Sequence, residues 1–334
     1  MLLSGDVHLP LGFLLVFGSA KLLAELSERL KIPGIVGEIL AGVVLGPSLL
    51  GWIAPNELFA ALAELGAMFL LFRVGLEVKP SALMQVGGTA ALVAASGVAL
   101  PLVLGWGVMT LWGAGQIEAI FVGAAMVATS VGITARVLSA RGLLGERSSQ
   151  VILAAAVIDD VLGLLVLAVV SSLARGKLNL VEILVTVVLA LGFTVAMAVW
   201  GPRVAGRVVP RVQSRAQVAE AEFALALVLL FALAVLAIYI GVAAIVGAFL
   251  AGMALGEHVE PRVHALTHGI SELLVPFFLV GIGLHVDLAL FRQPAALLLG
   301  GVILLLAVVS KLAGCGLAAA RLGQADAVRI GVGM

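Results

Sequence analysis

The sequence predicts an all-α, polytopic membrane protein with an inverted-repeat secondary-transporter fold. Three observations carry that expectation: the composition, a series of apolar segments of membrane-crossing length, and a motif that occurs twice. Of 334 residues, 63% are hydrophobic and only 11% are charged. An ordinary soluble chain is about 45–50% apolar and about 25% charged. No globular core needs so much apolar surface, so lipid has to be the main solvent. The formal net charge is zero, which points away from nucleic acid as a partner. Cys315 stands alone in an apolar run, which excludes a disulfide framework or a thiolate metal cluster. It is expected to be a small buried packing residue. The 40 glycines exceed the usual share of about 7% and suit close helix packing and helix breaks. No basic region precedes the first apolar stretch, which is therefore read as a retained span rather than a cleaved signal peptide.

A crossing needs about 20 apolar residues. In chain order the candidates are 9–27, 33–53, 57–76, 81–112, 117–137, 148–174, 180–202, 218–240, 242–256, 269–286 and 294–320, eleven in all. The fourth is long and contains Pro101, and the ninth is short. Connections are brief except 203–217 and 257–268, which are read as loops. No soluble domain fits between spans.

Alternating the loops across the membrane tests this count. One side collects Arg29, Lys31, Lys79, Arg136, Arg141, Arg147, Arg203, Arg207, Arg211, Arg215, Arg262, Arg321 and Arg329. The other collects Arg175, Lys177 and Arg292. Basic residues mark the cytoplasmic side, so the N-terminus is expected outside. One missed or false span would scramble the pattern.

The repeat is the most informative feature. Ile35-Val36-Gly37-Glu38-Ile39-Leu40-Ala41-Gly42-Val43-Val44-Leu45-Gly46 reads against Ile245-Val246-Gly247-Ala248-Phe249-Leu250-Ala251-Gly252-Met253-Ala254-Leu255-Gly256, with eight of twelve positions identical. The next span follows at a slightly smaller offset: Phe69, Leu71, Gly75, Leu76 and Val78 match Phe277, Leu279, Gly283, Leu284 and Val286. Spans 2 and 3 thus correspond to spans 9 and 10. A shift of seven helices is odd, so the copies are inverted, an arrangement typical of secondary transporters. By the same offset Met334 corresponds to Met126. The second copy then lacks partners for spans 5 and 6. About two further helices are expected, making thirteen, and the chain as given is not expected to transport.

The charged residues inside the spans carry the chemistry. Asp159 and Asp160 adjoin in the middle of span 6, eleven residues beyond Ser148 for the first of them. At about 1.5 Å per residue that is roughly 17 Å into a core of about 30 Å. A carboxylate at that depth costs about 2.5–3.5 kcal/mol to insert, a cost that a water-filled cavity, a counter-charge or a cation has to offset. Neighbouring helical positions point about 100° apart, so the two acids cannot share one environment. One can face the bundle while the other faces a water-filled funnel, where a proton and a cation compete for it. The plain alternative is a structural pair satisfied by nearby polar groups. Ala128-Thr129-Ser130-Val131-Gly132-Ile133-Thr134-Ala135-Arg136 in span 5 puts hydroxyls and a glycine in mid-membrane. This reads as a broken helix whose freed carbonyls and hydroxyls could hold a cation, against an intact helix with back-bonded hydroxyls. Lys311 lies deep in span 11 and needs a partner. One of the aspartates is the obvious counter-ion, unless the lysine snorkels to the interface. Glu38, Glu64 and Arg73 are expected to pair with one another or to line the cytoplasmic funnel. His264 and His268 have metal-pair spacing, but with Glu257, His258 and Glu260 they read as a solvated loop with a minor option of pH sensing.

Taken together, Gly37-Glu38-Ile39-Leu40-Ala41-Gly42 through Leu45-Gly46-Pro47, Ala128-Thr129-Ser130, Ile158-Asp159-Asp160 and Ser310-Lys311 resemble the monovalent cation:proton antiporter family. That family includes bacterial sodium/proton antiporters and Kef-type potassium efflux systems. The resemblance spans essentially the whole chain. It implies a homodimer of thirteen-helix subunits in a bacterial-type inner membrane, exchanging protons for a cation by alternating access, with no cofactor and no metal beyond the transported ion. It also implies a division into dimerisation (panel) helices at 1–80 and 218–290, transport-core helices at 81–174 and 291–334, and a linker helix with a basic cytoplasmic loop at 175–217. Asp160 matches the cation and proton site, Asp159 the acid paired with the lysine at Lys311, and Thr129 and Ser130 the unwound crossing. A paired aspartate resembles the sodium-type members, with lithium tolerated. A potassium/proton antiporter or potassium efflux protein is the nearest rival. An intramembrane aspartyl protease would need its acids on different helices, and Gly-x-Gly-Asp occurs nowhere. A sodium-coupled solute symporter would need a larger organic pocket. The chain departs from the family in having no second broken helix and no regulatory nucleotide-binding domain.

Overall fold

The computed structural model describes residues 8–174, 180–215 and 220–334, and among them every regular element is a helix. In chain order these are α1 (His8–Arg29), α2 (Gly34–Leu45), α3 (Glu57–Glu77), α4 (Pro80–Leu111), α5 (Gln116–Val127), α6 (Val131–Ala140) and α7 (Arg147–Ala174). They continue with α8 (Leu180–Arg215), α9 (Ala221–Ile240), α10 (Ala244–Leu255), α11 (Pro261–Leu284), α12 (Pro294–Ala318) and α13 (Gln324–Gly333). Arg175 and Lys177 lie outside the described residues, as do 216–217 at the end of the expected basic loop.

Among the described residues, eight helical segments are long and apolar enough to cross a membrane: α1, α3, α4, α5 with α6, α8, α9, α11 and α12. The protein is an integral membrane protein. α2 and α10 have 12 residues each, roughly 18 Å of helix against a core of about 30 Å. Local chemistry sets several helix ends. Pro80 opens α4 where a missing N–H leaves no bond unmade. Gly241, at φ 89°, closes α9 in the left-handed region that glycine tolerates.

Two expected loops are largely helical. The segment read as a basic loop at 203–217 is helix as far as Arg215, the end of α8. Val204, Ala205, Val208 and Val209 continue the helical apolar spacing between Pro202 and Pro210, and Ala205 and Val209 are buried. That amphipathic face outweighs the N–H each proline removes. The loop read at 257–268 is likewise cut short, because Pro261 opens α11. His264 and His268 therefore sit on the first turns of that helix. Among the described residues no group of three or more His, Cys, Asp or Glu is placed to hold a metal ion.

The chain divides into two compact units, Met1–Arg73 with His264–Leu298, and Val74–Val263 with Leu299–Met334. In the first, Val16 and Ala20 of α1 pack with Ala41 and Leu45 of α2 and with Phe277 and Val280 of α11. In the second, Val86, Ala90 and Val93 of α4 pack with Val151 and Ile152 of α7 and with Cys315 of α12. Cys315 is fully buried, its sulfur 3.6 Å from the Val93 carbonyl.

Within each unit the repeated glycines make matching contacts. A methyl group on Gly283 would meet the Ile39 carbonyl oxygen, Gly42 Cα and Val43 N. A methyl group on Gly75 would meet the Phe249 carbonyl oxygen, Gly252 Cα and Met253 N. These are the same atoms of corresponding residues. Gly37 lies against the Leu23 carbonyl of α1, as Gly247 lies against the Leu233 carbonyl of α9. Gly123 of α5 lies against the Leu102 carbonyl of α4, as Gly331 of α13 lies against the Leu312 carbonyl of α12. Glycine is required at these places because two backbones approach within side-chain distance.

Candidate ion site

The site is built in the second unit, where a helix break meets two buried charges. α5 ends at Val127, Ala128 and Ser130 are extended, and α6 starts at Val131. The Ser130 hydroxyl accepts from Ile133 N at 3.4 Å, so it caps the first turn of α6. A helix end leaves carbonyls without intrahelical partners and carries partial negative charge. The Val127 carbonyl is one of these, and it accepts from Lys311 Nζ at 3.1 Å. The Thr129 hydroxyl donates to the same oxygen at 3.3 Å.

Lys311 is buried in α12, at 8% exposure. Its ammonium also lies 3.4 Å from Asp159 Oδ2. Asp159 is buried on α7, with the Thr129 hydroxyl beside its carboxylate. The lysine is therefore held by an acid from one helix and a freed carbonyl from another, two negative partners that offset its desolvation. Gly97 of α4 leaves room for Cys315, one turn along α12, since a methyl there would lie 2.9 Å from its sulfur.

Asp160 has a different setting. It is half-buried, and its Oδ2 is buried with no hydrogen-bond partner. It lines a cavity of about 360 Å³ together with Phe121, Ala128, Thr129, Asp159 and Gly163. Both acids border the cavity, and they differ in that Asp159 is paired with Lys311. Of the residues singled out from sequence, Asp159, Asp160 and Thr129 line this cavity and Lys311 pairs with Asp159. Ser130 sits at the break as a cap.

The other charges gather in the first unit. Lys21 of α1 lies 3.4 Å from Glu38 and 3.5 Å from Glu272, and Arg73 lies 3.3 Å from Glu272. Glu64 is exposed. Sequence reasoning missed Lys21 and Glu272, since nothing in their spacing shows that α1 and α11 bring them together.

A family model described as sodium/hydrogen exchanger, transmembrane, matches residues 14–334. The chain belongs to the sodium/hydrogen exchanger family. Among its relatives, the high-affinity Na+/H+ antiporter NhaS3 of Synechocystis is 32% identical, over 97% of this chain and 79% of the relative. The Na+/H+-K+ antiporter GerN of Bacillus cereus is also 32% identical, over 96% of this chain and 82% of the relative. The solved structure of the sodium proton antiporter MjNhaP1 from Methanocaldococcus jannaschii superposes with a TM-score of 0.65 at 21% identity. That match covers 90% of this chain and 77% of the other, and at that identity it speaks for the fold alone. For this exchanger the geometry provides a carboxylate oxygen with no competing donor, beside a hydroxyl and the end of a broken helix. A small cation or a proton can occupy such a place in turn.

Proposed function

We propose that this exchanger is an antiporter that trades protons for sodium by alternating access, with Asp160 as the shared site. The observation that carries the reading is the unpartnered, buried Oδ2 of Asp160 in an open cavity, next to an Asp159 already neutralised by Lys311. Asp159 keeps one unpartnered oxygen as well, but its charge is offset by Lys311, so binding a proton or a cation at Asp160 is what removes the remaining desolvation cost. Thr129 contributes a hydroxyl oxygen to the cation. The sodium/proton exchange for which NhaS3 is named supports sodium.

The finer architecture belongs to the same proposal. Eleven crossings, with α13 opening a twelfth, give an N-terminus outside and a basic cytoplasmic face. The matching glycine contacts support two inverted copies. In this reading 1–80 and 218–290 form the panel through which two copies pair, 81–174 and 291–334 form the moving core, and α8 links them. Potassium is the second reading, because GerN is named for both ions.

The test is transport by the protein at its natural length in proteoliposomes with an imposed proton gradient. Sodium added outside should dequench a pH-sensitive dye, and Asp160→Asn should reduce the signal to background while unfolding at an unchanged temperature. Dequenching by potassium alone overturns the sodium assignment. Normal transport by Asp160→Asn overturns the site.

A further inference from the structure

A second feature of the second unit is a groove that the ion site does not use. It holds about 190 Å³ among α8, α9 and α10. Trp200, Val204 and Val208 form one wall, with Leu229, Leu233 and Ala254 opposite. The lining is apolar throughout, so nothing in it would orient a water-soluble metabolite. Its natural occupant is hydrocarbon.

The rim has the opposite character. Arg203, Arg207 and Arg211 are exposed and follow one another at four-residue spacing along α8, which sets them in one stripe. Trp200, Val204 and Val208 have the same spacing, so the two stripes run side by side. Arg211 follows Val204 by two helical turns and returns to the groove's own face. Arg203 Nη1 is tied to the Val199 carbonyl at 2.6 Å, a bond that uses one of the five donors of its guanidinium. Trp200, 62% exposed, stands at the mouth of the groove, as tryptophan does where hydrocarbon gives way to headgroups.

An apolar slot and an anion-binding rim are matched by one class of molecule that a membrane protein always meets. We infer that α8 binds an anionic phospholipid, with one acyl chain in the groove between Val204, Val208 and Leu233 and the headgroup phosphate on Arg207 and Arg211. Guanidinium groups pair with phosphate through paired, charge-assisted hydrogen bonds. A lipid there would brace the very helix whose two internal prolines weaken it. The inference shares the membrane setting of the antiporter reading but not its ion chemistry, so the test below can fail while that reading stands.

The experiment uses the purified protein at its natural length in mild detergent, with native mass spectrometry and thermal unfolding as readouts. The probes are phosphatidylglycerol, phosphatidylcholine with the same chains, and inorganic phosphate. Phosphatidylglycerol should be retained selectively and should raise Tm by at least about 2 °C. The triple variant R203Q/R207Q/R211Q should lose affinity by roughly fivefold per arginine, while R203K/R207K/R211K keeps most of the preference. Val208→Trp fills the groove and should release the lipid with all three arginines intact. Equal retention of the two lipids overturns the inference. So does a Tm rise reproduced by inorganic phosphate alone, or an undiminished preference in the triple glutamine variant or in Val208→Trp.

Discussion

Lys311 and Asp159 meet at 3.4 Å, and the same ammonium lies 3.1 Å from the Val127 carbonyl. One lysine thus joins α12 to α7 and to the end of α5. The join satisfies one aspartate and one freed carbonyl together, and it leaves Asp160 with the cavity. Removing one member of a buried ion pair strands the other, at a cost of about 3–5 kcal/mol. Lys311→Ala should therefore lower the unfolding temperature by roughly 5–10 °C. Adding Asp159→Ala should recover at least half of that loss. Intrinsic tryptophan fluorescence in detergent measures both. If the two single losses simply add in the double variant, the pair carries no coupling energy.

The break between α5 and α6 makes a separable claim. Ser130 caps α6 through its hydroxyl, and such caps contribute about 0.5–2 kcal/mol. Ser130→Ala should be destabilised by that amount, and Ser130→Asn should restore stability because its side-chain oxygen can accept the same N–H. Thr129→Val, by contrast, removes a cavity hydroxyl without touching the cap. It should cost only the hydroxyl's own hydrogen bond, about 0.5–1.5 kcal/mol, and raise the sodium concentration needed for half-maximal dequenching several-fold. A Thr129→Val protein with unaltered sodium dependence would remove that hydroxyl from the site.

Much of this site was legible because charge inside lipid is costly. Asp159, Asp160 and Lys311 stand out in apolar runs, and Thr129 with Ser130 marks a break since hydroxyls and a nearby glycine loosen a helix. The periodicity of a helix separated the two acids but could not say which one the lysine takes, because that depends on how α12 lies against α7. The extent of α8 was illegible for a related reason. Pro202, Pro210 and four arginines have the composition of a loop, and only the packing of Ala205 and Val209 reveals a helical face. Lys21 escaped notice because a lone lysine in an apolar helix does not reveal its partners, and its partners Glu38 and Glu272 come from two other helices.

The glycine contacts offer a test of the repeat. Gly283 and Gly75 face corresponding atoms of corresponding residues, so alanine at either should force two backbones apart. Overpacking of this kind costs about 1–3 kcal/mol. Gly18 of α1 has open space around a would-be methyl, so Gly18→Ala should be neutral or stabilising by about 0.5–1 kcal/mol. Unfolding temperatures of the three variants decide the matter. A loss at Gly283 with none at Gly75 would contradict the equivalence of the two copies.

Gly163 gives the most direct test of the cavity. It lies four residues after Asp159 and three after Asp160, on the face of α7 that both acids border, and it lines the cavity. No atom lies within 4 Å of a methyl placed there, so a side chain at this position starts into open space. Gly163→Leu should therefore fold normally, and replacing a mid-helix glycine should add about 0.5–1 kcal/mol of stability. The leucine would occupy cavity space through which an ion would reach Asp160, and it would put hydrocarbon beside the carboxylate. Initial rates of sodium-driven dequenching should fall at least tenfold, or about 1.4 kcal/mol, with Gly163→Ala intermediate. Because neither acid, the lysine nor the helix break is altered, the loss would report access alone. Full-rate transport by a stable Gly163→Leu protein would mean that ions approach Asp160 by another route.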